Sequence, residues 1–222
     1  MSISCVIGTF GSHSWKHLAE TRAIPSAEAQ GFLDVTHIHL PEGTLAEARN
    51  LGGLHAKGEW LLFLDADDEL WPDFTTKMRE ALERETTRPA LFTPAVCYAR
   101  GQVRPTPKIW PRMDFKVGNW CVIGTLIERS LFHELGGFRE YLLYEDYALW
   151  AMAAEAGAEV FEVPEAVYLA HHARLSRNRS RPQERVYWHQ RIGRDIWPDH
   201  FAELTPEEDE TRILSTPHLR FA

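Results

Sequence analysis

The chain has 222 residues, 44% of them hydrophobic and 25% charged, values of an ordinary soluble globular protein. That length allows one sizeable core or a domain with an appendage, and no apolar run approaches the ~20 residues that span a bilayer. A net charge of −8 argues against a general nucleic-acid binder.

The opening "MSISCVIGTF" has no basic stretch ahead of an apolar one, so it reads as a first strand rather than an export signal. Cys5, Cys97 and Cys121 are odd in number and lack C-x-x-C spacing, which suggests neither a disulfide framework nor a zinc site. They read as buried thiols in a reducing cytoplasm. After the first strand, helical spacing through Trp15, Leu18 and Ala19 leads to an expected break at Pro25. "DVTHIHL" is β-rich and stops at Pro41, as a second strand would. Thr44 and Glu47 form a T-x-x-E capping box, and the helix they open runs through Ala48, Leu51 and His55 toward Gly58. "WLLFL" is continuously apolar, as a strand covered on both faces would be. Pro72 is placed to open a helix with Phe74, Met78 and Leu82 on one face, and "ALFTPAVCYA" returns as a strand.

Farther on, "CVIGTLI" and "AEVFEV" read as strands, and "RSLFHELGGF" as a short helix closed by Gly136 or Gly137. "YEDYALWAMAAEAG" reads as a strong helix ending at Gly157, with Glu145 and Asp146 in its first turn. The alternation of strands and helices predicts an α/β domain with a largely parallel sheet, whose ligands gather beyond the carboxyl ends of the strands. Thr9 and Asp65 both fall at such ends.

The words "LFLDADDEL" run a buried strand straight into three carboxylates, Asp65, Asp67 and Asp68. Acids suit the approach to a helix, and one of them is expected to cap the helix near Pro72. Three exceed that need. Two carboxylates one residue apart can point to the same side of an extended chain and share a hard cation, which in turn bridges diphosphate oxygens.

Around this stretch, Arg49-Asn50, Gly52, Ala56 and Gly58 lead into Asp65-Ala66-Asp67-Asp68, and "GTFG" stands at Gly8 to Gly11. These words resemble the family 2 glycosyltransferases, with their strand ending P-T-[YF]-N and their R-N-x-G-x-x-x-A-x-G…D-x-D-D signature. "ELGGFREYLLYEDYALW" is similar to the family's G-G-F…E-D segment, so that the resemblance covers roughly residues 3 to 176. It implies the GT-A fold: a Rossmann-like, mixed and mostly parallel sheet flanked by helices. The expected division is a domain over 1–194, with a donor half to about 100, an acceptor half to about 176 and a basic segment over 171–194, followed by a tail over 195–222. One departure is plain. Where the family has an acidic "DDGS" turn touching the nucleotide base, this chain has "HIHLPEGT", leaving Glu42 or His39 to substitute and weakening the UDP assignment.

By resemblance, Thr9, Phe10 and Gly11 line the nucleotide pocket together with Ala66, Asp65 meets the ribose or the cation's surroundings, and Asp67 ligates Mn²⁺ or Mg²⁺. Arg49 holds a phosphate or positions Asp65. His172, followed by Ser176-Arg177, completes the coordination, with His171 the second choice. Asp146 is the candidate general base and Glu145 its neighbour toward the acceptor, which implies inversion at the anomeric carbon. Trp110 and Trp120 bound the acceptor site. Seven arginines (174, 177, 179, 181, 185, 191 and 194) face one acid between His171 and Arg194, and suit either a flap over the diphosphate or a solvated basic helix. The expected function is metal-dependent transfer from a nucleotide sugar, UDP-linked, to a hydroxyl on a small molecule, glycan, protein or modified nucleic-acid base. A sugar nucleotidyltransferase and a non-catalytic nucleotide- or glycan-binding module are the competing readings. "GTFGSHSWKH" is a poor match to the Gly-rich loop of the former, and the D-A-D-D and E-D words count against the latter.

Overall fold

The computed structural model of the chain describes residues 1–99, 108–109, 112–171 and 182–201. In chain order the strands are β1 (Ile3–Phe10), β2 (Asp34–Leu40), β3 (Trp60–Phe63), β4 (Glu69–Leu70), β5 (Ala90–Ala99), β6 (Leu126–Glu128) and β7 (Glu159–His171). The helices are α1 (His13–Leu18), α2 (Ile24–Glu28), α3 (Leu45–His55), α4 (Phe74–Arg84), α5 (Arg129–Glu134), α6 (Glu145–Glu155), α7 (Pro182–Ile196) and α8 (Pro198–Phe201). The seven strands form one sheet in the order β2-β1-β3-β6-β5-β7-β4. β1 pairs in parallel with β2 and β3, and β5 with β7, while β6 and β4 run against their neighbours. Five strands therefore share one direction, and β1 and β3 end on the same rim.

Burial follows from composition. Every residue of β3 is buried, as a strand covered on both faces requires. α4 buries Phe74, Met78 and Leu82, the predicted face, together with Thr75 and Ala81. The capping box of α3 is complete, with Thr44 Oγ1 accepting from the Glu47 N–H at 3.1 Å and Glu47 Oε2 accepting from the Thr44 N–H at 2.7 Å. Gly157 closes α6 at a φ of 89°.

Four local expectations change. The helical run is not broken at Pro25: a π turn over Ala19–Ala23 widens the backbone, and the proline sits in the first turn of α2, where its missing N–H is harmless. "CVIGTLI" pairs only over Leu126–Glu128; upstream the Thr125 N–H turns back to the Val122 carbonyl at 3.0 Å in a buried turn. β7 runs past Val163 to His171, because Pro164 to Ala166 bulge out and pairing with β5 resumes at Val167. The basic helix reaches Ile196, and α8 buries Phe201, so packing continues into the segment expected to be a tail. No helix among the described residues is long and apolar enough to cross a membrane.

Candidate active site

The carboxylates gather because the chain turns. The Asp68 N–H donates to the Asp65 carbonyl at 3.1 Å, so Asp65-Ala66-Asp67-Asp68 is a tight turn between β3 and β4 rather than an extended segment. Ala66 is the buried small residue at its base. The carboxylate oxygens of Asp65, Asp67 and Asp68 come within 4.8 Å of one another. None of the three caps α4: the residue before that helix is Asp73, in left-handed conformation at a φ of 68°.

Each aspartate sits differently. The Asp65 side chain is 36% exposed and accepts from Arg49 Nη2 at 2.5 Å. Burial, then the Asp65 charge, push the Asp67 carboxyl up to about 6, and Arg22 donates to the Asp67 backbone carbonyl at 2.7 Å. Asp68 is buried, and burial, Asp65 and Asp67 raise its carboxyl well above the usual range. Both Asp68 oxygens are engaged: Oδ2 accepts from the Tyr168 hydroxyl at 2.8 Å and Oδ1 from the His171 N–H at 2.7 Å.

Arg49 joins this turn to the second half of the domain. Its guanidinium is 3% exposed, reaches Asp65 with one nitrogen and Glu145 Oε1 with the other at 2.8 Å, and lies 5.1 Å from the Phe138 ring centre. Burial alone would lower its basicity; Asp65 and Glu145 more than offset that and hold it raised. Its contact with Asp65 is thus in place. Next to it Asn50 donates to the Phe138 carbonyl at 2.9 Å and accepts from the Phe138 N–H at 2.8 Å, stitching α3 to the Gly-Gly-Phe turn. Gly137 in that turn has a φ of 74°, and a Cβ there would meet Asn50.

Glu145 and Asp146 occupy the first turn of α6, at the positive end of an 11-residue helix. Glu145 is buried and Asp146 half-buried. Burial and then Glu145 push the Asp146 carboxyl up to about 6, against the pull of Arg49.

The other candidates divide. Gly11 has a φ of 71° and is exposed, and its N–H donates to the Leu40 carbonyl at 2.8 Å; Phe10 beside it is half-buried. Thr9 is buried, 2% exposed, and its hydroxyl lies between His37 Nε2 at 2.9 Å and His39 Nδ1 at 3.0 Å, so it contacts β2 rather than opening into a pocket. The His171 ring is held by Glu69 at 2.6 Å, while its backbone N–H donates to Asp68 Oδ1. Trp120 is 3% exposed and stacked on Phe115 with centroids 5.7 Å apart, which leaves no open face for a sugar ring. Trp110 and His172 lie outside the described residues. Tyr168 carries no signal in the sequence, because the strand pattern of "AEVFEV" ends before Pro164. Arg22 carries none either, since its reach to Asp67 depends on a 45-residue separation.

The sequence profile of Glycosyl transferase family 2 matches residues 19–141, more than half of the 222. The chain belongs to glycosyl transferase family 2. It is 31% identical over 113 residues to an uncharacterized glycosyltransferase of Haemophilus influenzae, covering 46% of this chain and 38% of that protein. Over 133 residues it is 23% identical to an uncharacterized glycosyltransferase of Mycoplasma pneumoniae, covering 57% and 44%. The family 2 chain thus spans less than half the length of these curated relatives. Among solved structures it resembles S. aureus TarS residues 1–349 in complex with UDP-GlcNAc, with a TM-score of 0.64 at 15% identity over 100% of this chain and 73% of that one. It also resembles GalNAc-T7 with UDP, GalNAc and Mn²⁺, with a TM-score of 0.61 at 16% identity over 91% and 49%. These likenesses establish the fold as GT-A.

Proposed function

We propose that the chain is a metal-dependent, inverting glycosyltransferase that moves a sugar from a nucleoside-diphosphate sugar, with UDP as nucleotide, to a hydroxyl acceptor in a reducing cytoplasm. The carrying observation is the cluster of Asp65, Asp67 and Asp68, linked through Arg49 to the helix that bears Asp146. The donor set fits Mn²⁺ or Mg²⁺: hard carboxylate oxygens converge, and a cation would offset both the burial and the Asp65 charge that raise Asp67. Asp67 is the leading ligand and Asp65 the second, since both oxygens of Asp68 are already hydrogen-bonded. Held by these carboxylates, such a cation would supply positive charge to offset that of the departing diphosphate. UDP in the TarS complex, and UDP with Mn²⁺ in the GalNAc-T7 structure, support this reading.

Asp146 removes the acceptor hydroxyl proton as its oxygen bonds to the anomeric carbon. The bond from that carbon to the diphosphate breaks on the opposite side, its electron pair leaving with the nucleotide. Glu145, fixed by Arg49, holds the turn that presents Asp146. The acceptor is a hydroxyl of a small molecule, glycan, protein or modified base. Calorimetric titration with UDP tests the cluster: Asp67→Ala should abolish the Mn²⁺-dependent part of binding. Undiminished Mn²⁺-dependent binding in that variant would overturn the assignment.

A further inference from the structure

We propose that Tyr168 of β7 is a positioning residue that sets the geometry of the D-A-D-D turn for its cation, an inference that rests on the metal reading above. Its phenol sits between the two ends of the turn. The Asp65 N–H donates to Tyr168 Oη at 3.2 Å, and the Tyr168 hydroxyl donates to Asp68 Oδ2 at 2.8 Å. One oxygen atom therefore closes a bridge from the first residue of the turn to the last. A chain of this kind, N–H to phenol to carboxylate, polarises each bond in it and resists loss of any one.

The ring is itself immobilised. Tyr168 is 2% exposed, pairs with Val96 of β5 on one side and Leu70 of β4 on the other, and rests on Gly124, where any added Cβ would fall inside van der Waals contact with the ring. The phenol is thus held by a strand paired on both sides, whereas the aspartates lie on a turn at the sheet's rim. His171, three residues along the same strand, holds the other oxygen of Asp68 through its backbone N–H. β7 thereby fixes Asp68 from both sides, and Asp68 braces the turn while Asp67 and Asp65 face the cation.

Partners of this kind that orient metal ligands typically matter 10–100-fold in metal affinity. The test is Mn²⁺ titration followed by the electron paramagnetic resonance of free Mn²⁺, on wild type, Tyr168→Phe and Asp67→Ala, with circular dichroism to verify folding. The proposal expects Tyr168→Phe to keep the fold and weaken Mn²⁺ roughly 10-fold or more. The donor KM should rise more than kcat falls. A folded Tyr168→Phe with wild-type Mn²⁺ affinity, alongside an Asp67→Ala that has lost it, overturns the role of Tyr168 and leaves the metal site standing. Equal Mn²⁺ affinity in wild type and Asp67→Ala overturns both. Should Tyr168→Phe fail to fold, Gly124→Ala pushes the ring from behind without touching a carboxylate. It should weaken Mn²⁺ in the same way, and unchanged affinity there overturns the proposal.

Discussion

Asp146 shows how much one carboxyl depends on what surrounds it. It faces Glu145 on its own helix, Arg49 from α3 and Asp65 from the β3–β4 turn, and burial with Glu145 raises it to about 6. A general base must be ionised, so kcat/KM should fall about tenfold per pH unit below about 6, read from a pH–rate profile. Asp146→Asn should lose on the order of 10²–10⁴-fold in transfer while donor binding persists. Normal turnover in that variant would remove the assignment. The same shift has a stability consequence. A carboxyl raised in the folded state binds more protons folded than unfolded, so its contribution declines as pH rises from about 4 to about 6. Thermal melts of Asp146→Asn should therefore show a flatter pH slope and a Tm at pH 7 no lower than that of wild type.

At the scale of elements, α3 carries more of the signature than its few contacts with chemistry suggest. An added Cβ on Gly52 would meet Val6 of β1, and one on Gly53 would lie 2.6 Å from Phe132 of α5. Beyond the helix, one on Gly58 would lie 2.6 Å from the Ser4 N of β1. These glycines let the segment lie against β1 and α5 closely enough for Arg49 to reach two carboxylates. Gly52→Ala should cost about 1–3 kcal/mol by overpacking, measured by urea denaturation. Asn50→Ala should cost a similar amount, about 1–3 kcal/mol, by orphaning both backbone groups of Phe138. The capping box made the start of α3 legible, and apolar continuity did the same for β3. The extent of β6 was not legible, because ladder pairing depends on a partner strand remote in sequence. Nor was the continuation through Pro25, since a π turn leaves no pattern of its own.

Across the whole molecule, Arg49 is where the two halves meet. It is buried and pairs with the partly exposed Asp65, 16 residues away, and with the buried Glu145, 96 residues away. Removing one member of such a buried group strands the others, so Arg49→Met should destabilise by about 3–5 kcal/mol. Added Mn²⁺ with UDP should raise the wild-type Tm by mass action, and by much less in Asp67→Ala.

Strands, helices, the three acids and the E-D pair were present in the order of residues, because periodicity, caps and charge placement are local properties. Contact is not. That Asp65 to Asp68 form a turn, that Thr9 faces histidines, that His171 answers to Glu69 and that Trp120 is packed away were decided by which strands lie side by side. The tie from Arg49 to Glu145 and the Tyr168 bridge arise the same way, because burial removes water as a partner and leaves each charge and hydroxyl only the neighbours that the sheet order supplies.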